Sequence, residues 1–227
     1  MTIVYLVRHG QASFGSENYD QLSATGVLQA KALGQYISPI LKQQPYVVAG
    51  NMKRHQQTAQ FTLESVVPNL DLKTREAWNE FNHQEVFEKY DPNLLKAELL
   101  QVNQPRDYLS QVFTHAMARW AMGNFDGEYT ETWTAFQQRV LGALAWLERD
   151  LTNIQPSSAL IFTSGGVIAT IVAHLLDLPL EKTLALSFAI SNCSLTSLRI
   201  EAGRIELLSF NEHQYLNIQD KSLLTWL

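Results

Sequence analysis

The run Ile3-Val4-Tyr5-Leu6-Val7, met at once by Arg8-His9-Gly10, constrains this chain more than any other stretch. Apolar, mostly β-branched or aromatic residues bounded by a glycine are too few for a helix and read as a buried central strand. The carboxyl ends of such strands are where open α/β sheets bind ligands. Arg8 offers a planar guanidinium that can fork onto two phosphate oxygens, and Gly10 lets backbone N–H groups approach an anion closely. His9, between them, carries a ring nitrogen able to attack phosphorus. A lone Arg-His-Gly can also simply cap a strand, so its meaning depends on the rest of the chain.

Downstream of Gly10, helices alternate with strands. Ser23 is placed to cap a helix over about Ala24 to Ile37, with Val27, Leu28, Leu33 and Ile37 apolar and Pro39 just past its end. Tyr46-Val47-Val48-Ala49 reads as the next strand, and Asn51 as the cap of a helix carrying Arg54, Thr58, Phe61 and Leu63. Arg54 then falls in a first turn, where its guanidinium and the free helix N–H groups can face one anion. As ordinary surface charge it would pair with an acid nearby.

Thr130 or Thr132 starts a long helix to about Leu151, striped by Phe136, Val140, Leu144, Trp146 and Leu147. Ala159 to Thr163 is a second central strand, Ser164-Gly165-Gly166 a strand-to-helix turn suited to anions, and the segments around Gly203 a hairpin. This strand, loop, helix rhythm predicts an α/β fold, a three-layer α/β/α arrangement around a mostly parallel sheet.

A chain of 227 residues with no linker-like composition shift predicts one domain. A hydrophobic content of 46% with 17% charged residues excludes a disordered chain, and a net charge of -5 argues against a nucleic-acid partner. Cys193 is the only cysteine, which excludes an internal disulfide framework and a cysteine-rich metal site and fits a reducing cytoplasm. The N-terminus lacks a basic leader region, and Leu160 to Leu180 is interrupted by Gly165, Gly166, His174, Asp177 and Pro179, so no membrane association is expected. The sequence sets no oligomeric state.

Arg8-His9-Gly10, Leu22-Ser23-Ala24-Thr25-Gly26 with Gln29-Ala30, and Arg54 with Gln57-Thr58-Ala59 together resemble the histidine phosphatase superfamily, the phosphoglycerate mutase-like fold. The resemblance implies a phosphohistidine on His9, a phosphate held by Arg8 and Arg54, and a small phosphorylated substrate. It needs no cofactor or metal, because the arginines neutralise the phosphate oxygens. It also implies a glutamic acid on the loop Arg75 to His83 that protonates the leaving alcohol. The pattern of a glutamate between apolar residues favours Glu80 over Glu76 and Glu85, with Trp78 and Phe81 as surroundings that raise its pKa. Residues 85–130, helical in pattern and broken by Pro92 and Pro105, correspond to a cap insertion over the pocket, its aromatic and Met positions reading as packing.

One position departs from the resemblance. The strand ending at Thr163 leads in that superfamily to a second histidine before glycine, and here to Ser164, leaving its hydroxyl and Gly165 to help hold phosphate. Loss of one charge-stabilising donor commonly lowers a rate by about 10²- to 10³-fold. His83, on the Glu80 loop, is a candidate auxiliary group, and His55, beside Arg54, is another. Gln11 and Ala12 replace the Glu-Thr of mutase-type members, Gly15 an Asn, and Gly50 a common Ser, so hydrolysis is favoured over mutase activity. The rival reading is an impaired relative that binds a phosphorylated ligand or partner through Arg8 and Arg54 without turnover. Cys193 and Arg199 match the C-x5-R spacing of cysteine phosphatases, yet no glycine lies between them.

Overall fold

The computed structural model describes residues 1–13, 20–41, 43–64, 66–67, 70, 72–91 and 106–226, with the backbone alone for 106–111. Its sheet has six strands, β1 (Thr2–Arg8), β2 (Tyr46–Ala49), β3 (Lys73–Thr74), β4 (Ser158–Thr163), β5 (Leu195–Glu201) and β6 (Arg204–Glu212), in the order β3-β2-β4-β1-β5-β6. β1 to β4 run parallel, and β5 and β6 add an antiparallel edge. The mostly parallel α/β expectation is met. Eight α-helices among the described residues flank the sheet: α1 (Ala24–Ile37), α2 (Lys53–Leu63), α3 (His83–Tyr90), α4 (Arg106–Ala121), α5 (Trp133–Ile154), α6 (Gly165–Leu175), α7 (Leu180–Ala189) and α8 (Gln214–Gln219).

Alternation along the central strands separates two cores. Ala159 and Ile161 of β4, with Val4, Leu6 and Val48, pack against Phe136, Val140 and Leu147 of α5 and Val167, Ile168 and Ile171 of α6. Leu160 and Phe162, with Val7, Val47 and Ala49, pack against Ala30, Leu33 and Ile37 of α1, Ala59 and Leu63 of α2, and Leu216 of α8. Every residue of β4 is buried, as a strand covered by helices on both faces must be.

Register brings three strand ends side by side, pairing Arg8 with Thr163 and Ala49 with Phe162. The turn after β1 is held against α1. Ser23 caps that helix by accepting from the Gly26 N–H at 3.0 Å, and Gln29, fully buried, accepts from the Gln11 N–H at 2.8 Å. A Cβ on Gly26 would lie 2.2 Å from the Gln11 carbonyl oxygen, so that glycine is what lets helix and turn meet.

Part of the expected cap, residues 92–105, lies outside the described residues. On either side of it, Val86 and Phe87 of α3 and Val112, Met117 and Trp120 of α4 join the same core as α5. Ring centroids lie 4.7 Å apart for Phe81 and Trp120, 4.8 Å for Phe87 and Phe113, and 4.5 Å for Phe113 and Phe188. Such pairs are worth about 0.5–1.5 kcal/mol each beyond their buried area. Among the described residues no helix is long and apolar enough to cross a membrane.

Candidate active site

His9 sits at the turn that ends β1, fixed through its backbone. Its N–H donates to the Thr163 carbonyl at 2.9 Å, and its own carbonyl accepts from Asn192 Nδ2 at 3.1 Å. Nδ1 lies 2.7 Å from the Gly10 carbonyl oxygen. A carbonyl only accepts, so Nδ1 carries the proton and the Nε2 lone pair faces the pocket. Burial, then the charges of Arg54, the neighbouring His55 and Arg8, hold the imidazole well below its usual pKa. His9 is therefore neutral near pH 7, the state a nitrogen nucleophile needs.

Arg54, 3% exposed on the first turn of α2, points its Nε at His9 Nε2 over 3.3 Å. Its Nη1 donates to Asp20 Oδ1 at 2.7 Å, and Asp20 Oδ2 accepts from the Lys53 N–H at 2.8 Å. Asp20, rather than the expected Asn51, thus caps this helix; Asn51 lies one residue before the Met52 N-cap position. Thr58 joins the two elements, donating to the Arg54 carbonyl at 2.6 Å and accepting from the Gly10 N–H at 3.0 Å. Arg8 donates through Nη1 to the Ile190 carbonyl and runs past Gly165, where a Cβ would stand 3.6 Å from its Nε.

Of the three candidate glutamates, Glu80 is the one that reaches the strand ends. Its Oε2 accepts from the Gly166 N–H at 2.9 Å, and a Cβ on Gly166 would meet Oε1 at 2.3 Å. Burial pushes this carboxyl up, opposed by the Gly166 N–H, Arg54, the Phe81 N–H and Arg8. Glu76 is exposed, and Glu85 instead accepts from the Thr130 N–H and hydroxyl at 2.9 and 2.8 Å. Arg139 of α5 anchors the loop. Its Nη1 donates to the carbonyls of Ala77 and Asn79 at 3.2 and 2.9 Å, while Nε and Nη2 fork onto Glu131 at 2.7 and 2.9 Å. Thr163 Oγ1 adds a bond to the Trp78 carbonyl at 2.6 Å.

His83 opens α3, and burial with the nearby Arg54 charge lowers it to about 4. Ser164, fully buried, stands at the start of α6 with its Oγ 2.6 Å from His55 Nε2. The structure thus gathers Arg8, His9, Arg54, Glu80, His83, Ser164 and Gly165 around one set of strand ends. Thr58 stood in the sequence only as part of the Gln57-Thr58-Ala59 motif, and Asp20, Asn192 and Arg139, which with it hold these groups in place, carried no signal beyond their polarity. Cys193 is buried with its thiol pushed far up, and Arg199 pairs with Glu206, so the C-x5-R spacing forms no pocket.

The lowered histidines set an acid limit on stability. Below about pH 6.5 the unfolded chain binds protons that His9, His55 and His83 refuse when folded. Stability present above that pH is lost as pH falls, each group contributing on the order of 1.4 kcal/mol per pH unit until its folded value is passed. Glu80, raised on folding, acts in the opposite sense, losing stability as pH rises through its folded value. Thermal melting should show a Tm that falls from pH 7 to pH 5, with a shallower fall in His83→Gln. A flat profile would contradict the buried neutral imidazoles.

A buried imidazole at the end of a central parallel strand feels the charges of two arginines, and a buried carboxyl at the neighbouring turn feels the same two, in an α/β fold. The family model of the histidine phosphatase superfamily, branch 1, matches residues 4–213, and the chain belongs to that superfamily. In fold it is similar to a phosphoglycerate mutase from Bacillus anthracis, at 17% identity, covering 95% of each chain with a TM-score of 0.64. A phosphoserine phosphatase from Entamoeba histolytica, crystallised with phosphoserine as a mutant, aligns at 19% identity over 95% of this chain and all of its own, TM-score 0.63. A mycobacterial glucosyl-3-phosphoglycerate phosphatase aligns at 20% identity over 94% of this chain and all of its own, TM-score 0.62. No curated protein matches the chain in sequence.

Proposed function

We propose that this protein hydrolyses a phosphomonoester through a phosphohistidine on His9. The observation that carries the reading is the neutral His9 ring, its Nδ1 proton spent on Gly10 and its Nε2 lone pair next to Arg54. Arg8, Arg54, Ser164 and the Gly165 amide hold the phosphoryl oxygens. Nε2 attacks phosphorus in line, the ester P–O bond breaks, and the leaving oxygen takes the proton of Glu80. Glu80, now a carboxylate, accepts a proton from water as that water attacks the phosphohistidine, releasing inorganic phosphate and restoring both groups. Charge on the transferring group is met by the arginines, with no step that requires a metal ion.

Phosphate release from a broad panel of phosphomonoesters, between about pH 5 and 8, tests this together with an alkaline denaturing quench in search of an acid-labile, base-stable phosphoenzyme. Turnover of at least one ester with a trapped phosphohistidine is the expected result. Background release from every ester would overturn hydrolysis and leave a protein that binds phosphorylated ligands without turning them over.

A further inference from the structure

His55 has no part in the reaction as written, yet its side chain is buried among groups that do. It lies fully buried beside Arg54, with its ring centroid 5.5 Å from that of His9. Its Nε2 meets Ser164 Oγ at 2.6 Å, while Nδ1, equally buried, has no hydrogen-bond partner among the described residues.

That asymmetry fixes the tautomer. A buried N–H with no acceptor is rarer and costlier than a buried lone pair with no donor. The proton therefore belongs on Nε2, which donates to Ser164 Oγ. The Ser164 hydroxyl proton must then turn elsewhere, and this side chain makes no capping bond to its own helix. An anion bound at Nε2 of His9 would give that proton an acceptor, since Ser164 follows Thr163, whose carbonyl holds the His9 N–H at 2.9 Å.

Two sequence departures meet at this ring. Gly50 stands where the resemblance leads to a serine, and a Cβ there would lie 2.2 Å from His55 Nδ1. Ser164 stands where it leads to a histidine, and only a short side chain leaves space for the ring of His55. We propose that His55 and Ser164 together do the work of a second active-site imidazole, with His55 reaching the phosphoryl group through the serine hydroxyl. As negative charge grows on the transferring group, Ser164 donates to a phosphoryl oxygen and His55 Nε2 donates to Ser164. No proton changes owner. The two donors strengthen together, as linked hydrogen bonds do in a closed pocket. His55 is thus a positioning residue, not one that touches substrate.

This inference rests on the phosphatase reading, so its test separates the two. Steady-state kinetics and vanadate affinity are compared for the native protein, His55→Phe, His55→Gln, Ser164→Ala, the double variant His55→Phe with Ser164→Ala, and the exchanged variant carrying Gly50→Ser, His55→Ala and Ser164→His. His55→Phe and Ser164→Ala should each lower kcat by about 10²-fold with KM little changed. The double variant should be no worse than the poorer single, because the pair acts as a unit. His55→Gln, which keeps an N–H near the Nε2 position, and the exchanged variant should each recover activity to within about tenfold of native. Native-like kcat in His55→Phe, or additive losses in the double variant, would overturn the proposal. If the native protein turns over no ester, the phosphatase reading falls by itself. Vanadate affinity then decides the His55 proposal: a loss of about tenfold or more in Ser164→Ala and His55→Phe supports it, and unchanged affinity overturns it. Should His55→Phe fail to fold, Ser164→Ala and the exchanged variant carry the same comparison.

Discussion

His9→Ala is expected to lower phosphate release by about 10⁴-fold or more, with no phosphoenzyme trapped at any pH. The size reflects what is removed: without Nε2 there is no covalent route, and only the binding and charge stabilisation of the arginines are left. The fold should survive. The backbone of His9 is held by Thr163 and Asn192, and among the described residues its ring hydrogen-bonds to its own neighbour, Gly10, and to Arg54. Alanine also removes a buried polar group that folding had to keep neutral, so the Tm should change little and its fall at low pH should become shallower. Vanadate should still bind. Turnover in His9→Ala within about tenfold of native would put the nucleophile elsewhere, and Ser164 with His55 would be the first place to look.

Glu80→Gln is expected to show the second largest effect, and its size should depend on the ester. Glutamine can still accept from the Gly166 N–H and fits the space left by that glycine, so the loop should stay where Arg139 and Thr163 hold it. What it cannot do is give up a proton. Alkyl phosphates, whose alcohols leave poorly, should slow by about 10²- to 10⁴-fold. A nitrophenyl phosphate, whose phenol leaves without help, should form the phosphoenzyme at nearly the native rate. Loss of the base for the second step should then make that phosphoenzyme accumulate, seen as a burst of phenol and then slow turnover. Equal losses for alkyl and aryl esters would show that Glu80 is not the acid.

Local signals made most of the frame legible before any coordinates. β1, β2 and α1 are runs with clear ends, and their bounds are marked by Gly10, by Ser23 and by the short apolar stretch Tyr46–Ala49. β3 has two residues and no periodicity to betray it, and α7 begins directly after a proline with few apolar positions buried. Glu80 stood out from Glu76 and Glu85 only through the resemblance; the geometry separates them by the Gly166 N–H. The pairs that hold the pocket were hidden for one reason. Asp20 with Arg54, Arg139 with the Glu80 loop, and His55 with Ser164 each join residues far apart in the chain, and composition carries no information about partners.

The strand order also governs the life of the chain before it works. β1 is made first, yet both its neighbours, β4 and β5, come from the last third of the sequence, Ile3 pairing with Ser158 on one side and Arg199 on the other. The apolar β1 therefore lacks both of its pairing partners until the chain has been made as far as Ser158. Contacts of such long range form late and slowly, and unpaired strands invite association in the meantime. His9, Arg54 and Ser164 stand at the end of β1, on α2 and at the turn after β4, so the three come together only when that wait ends.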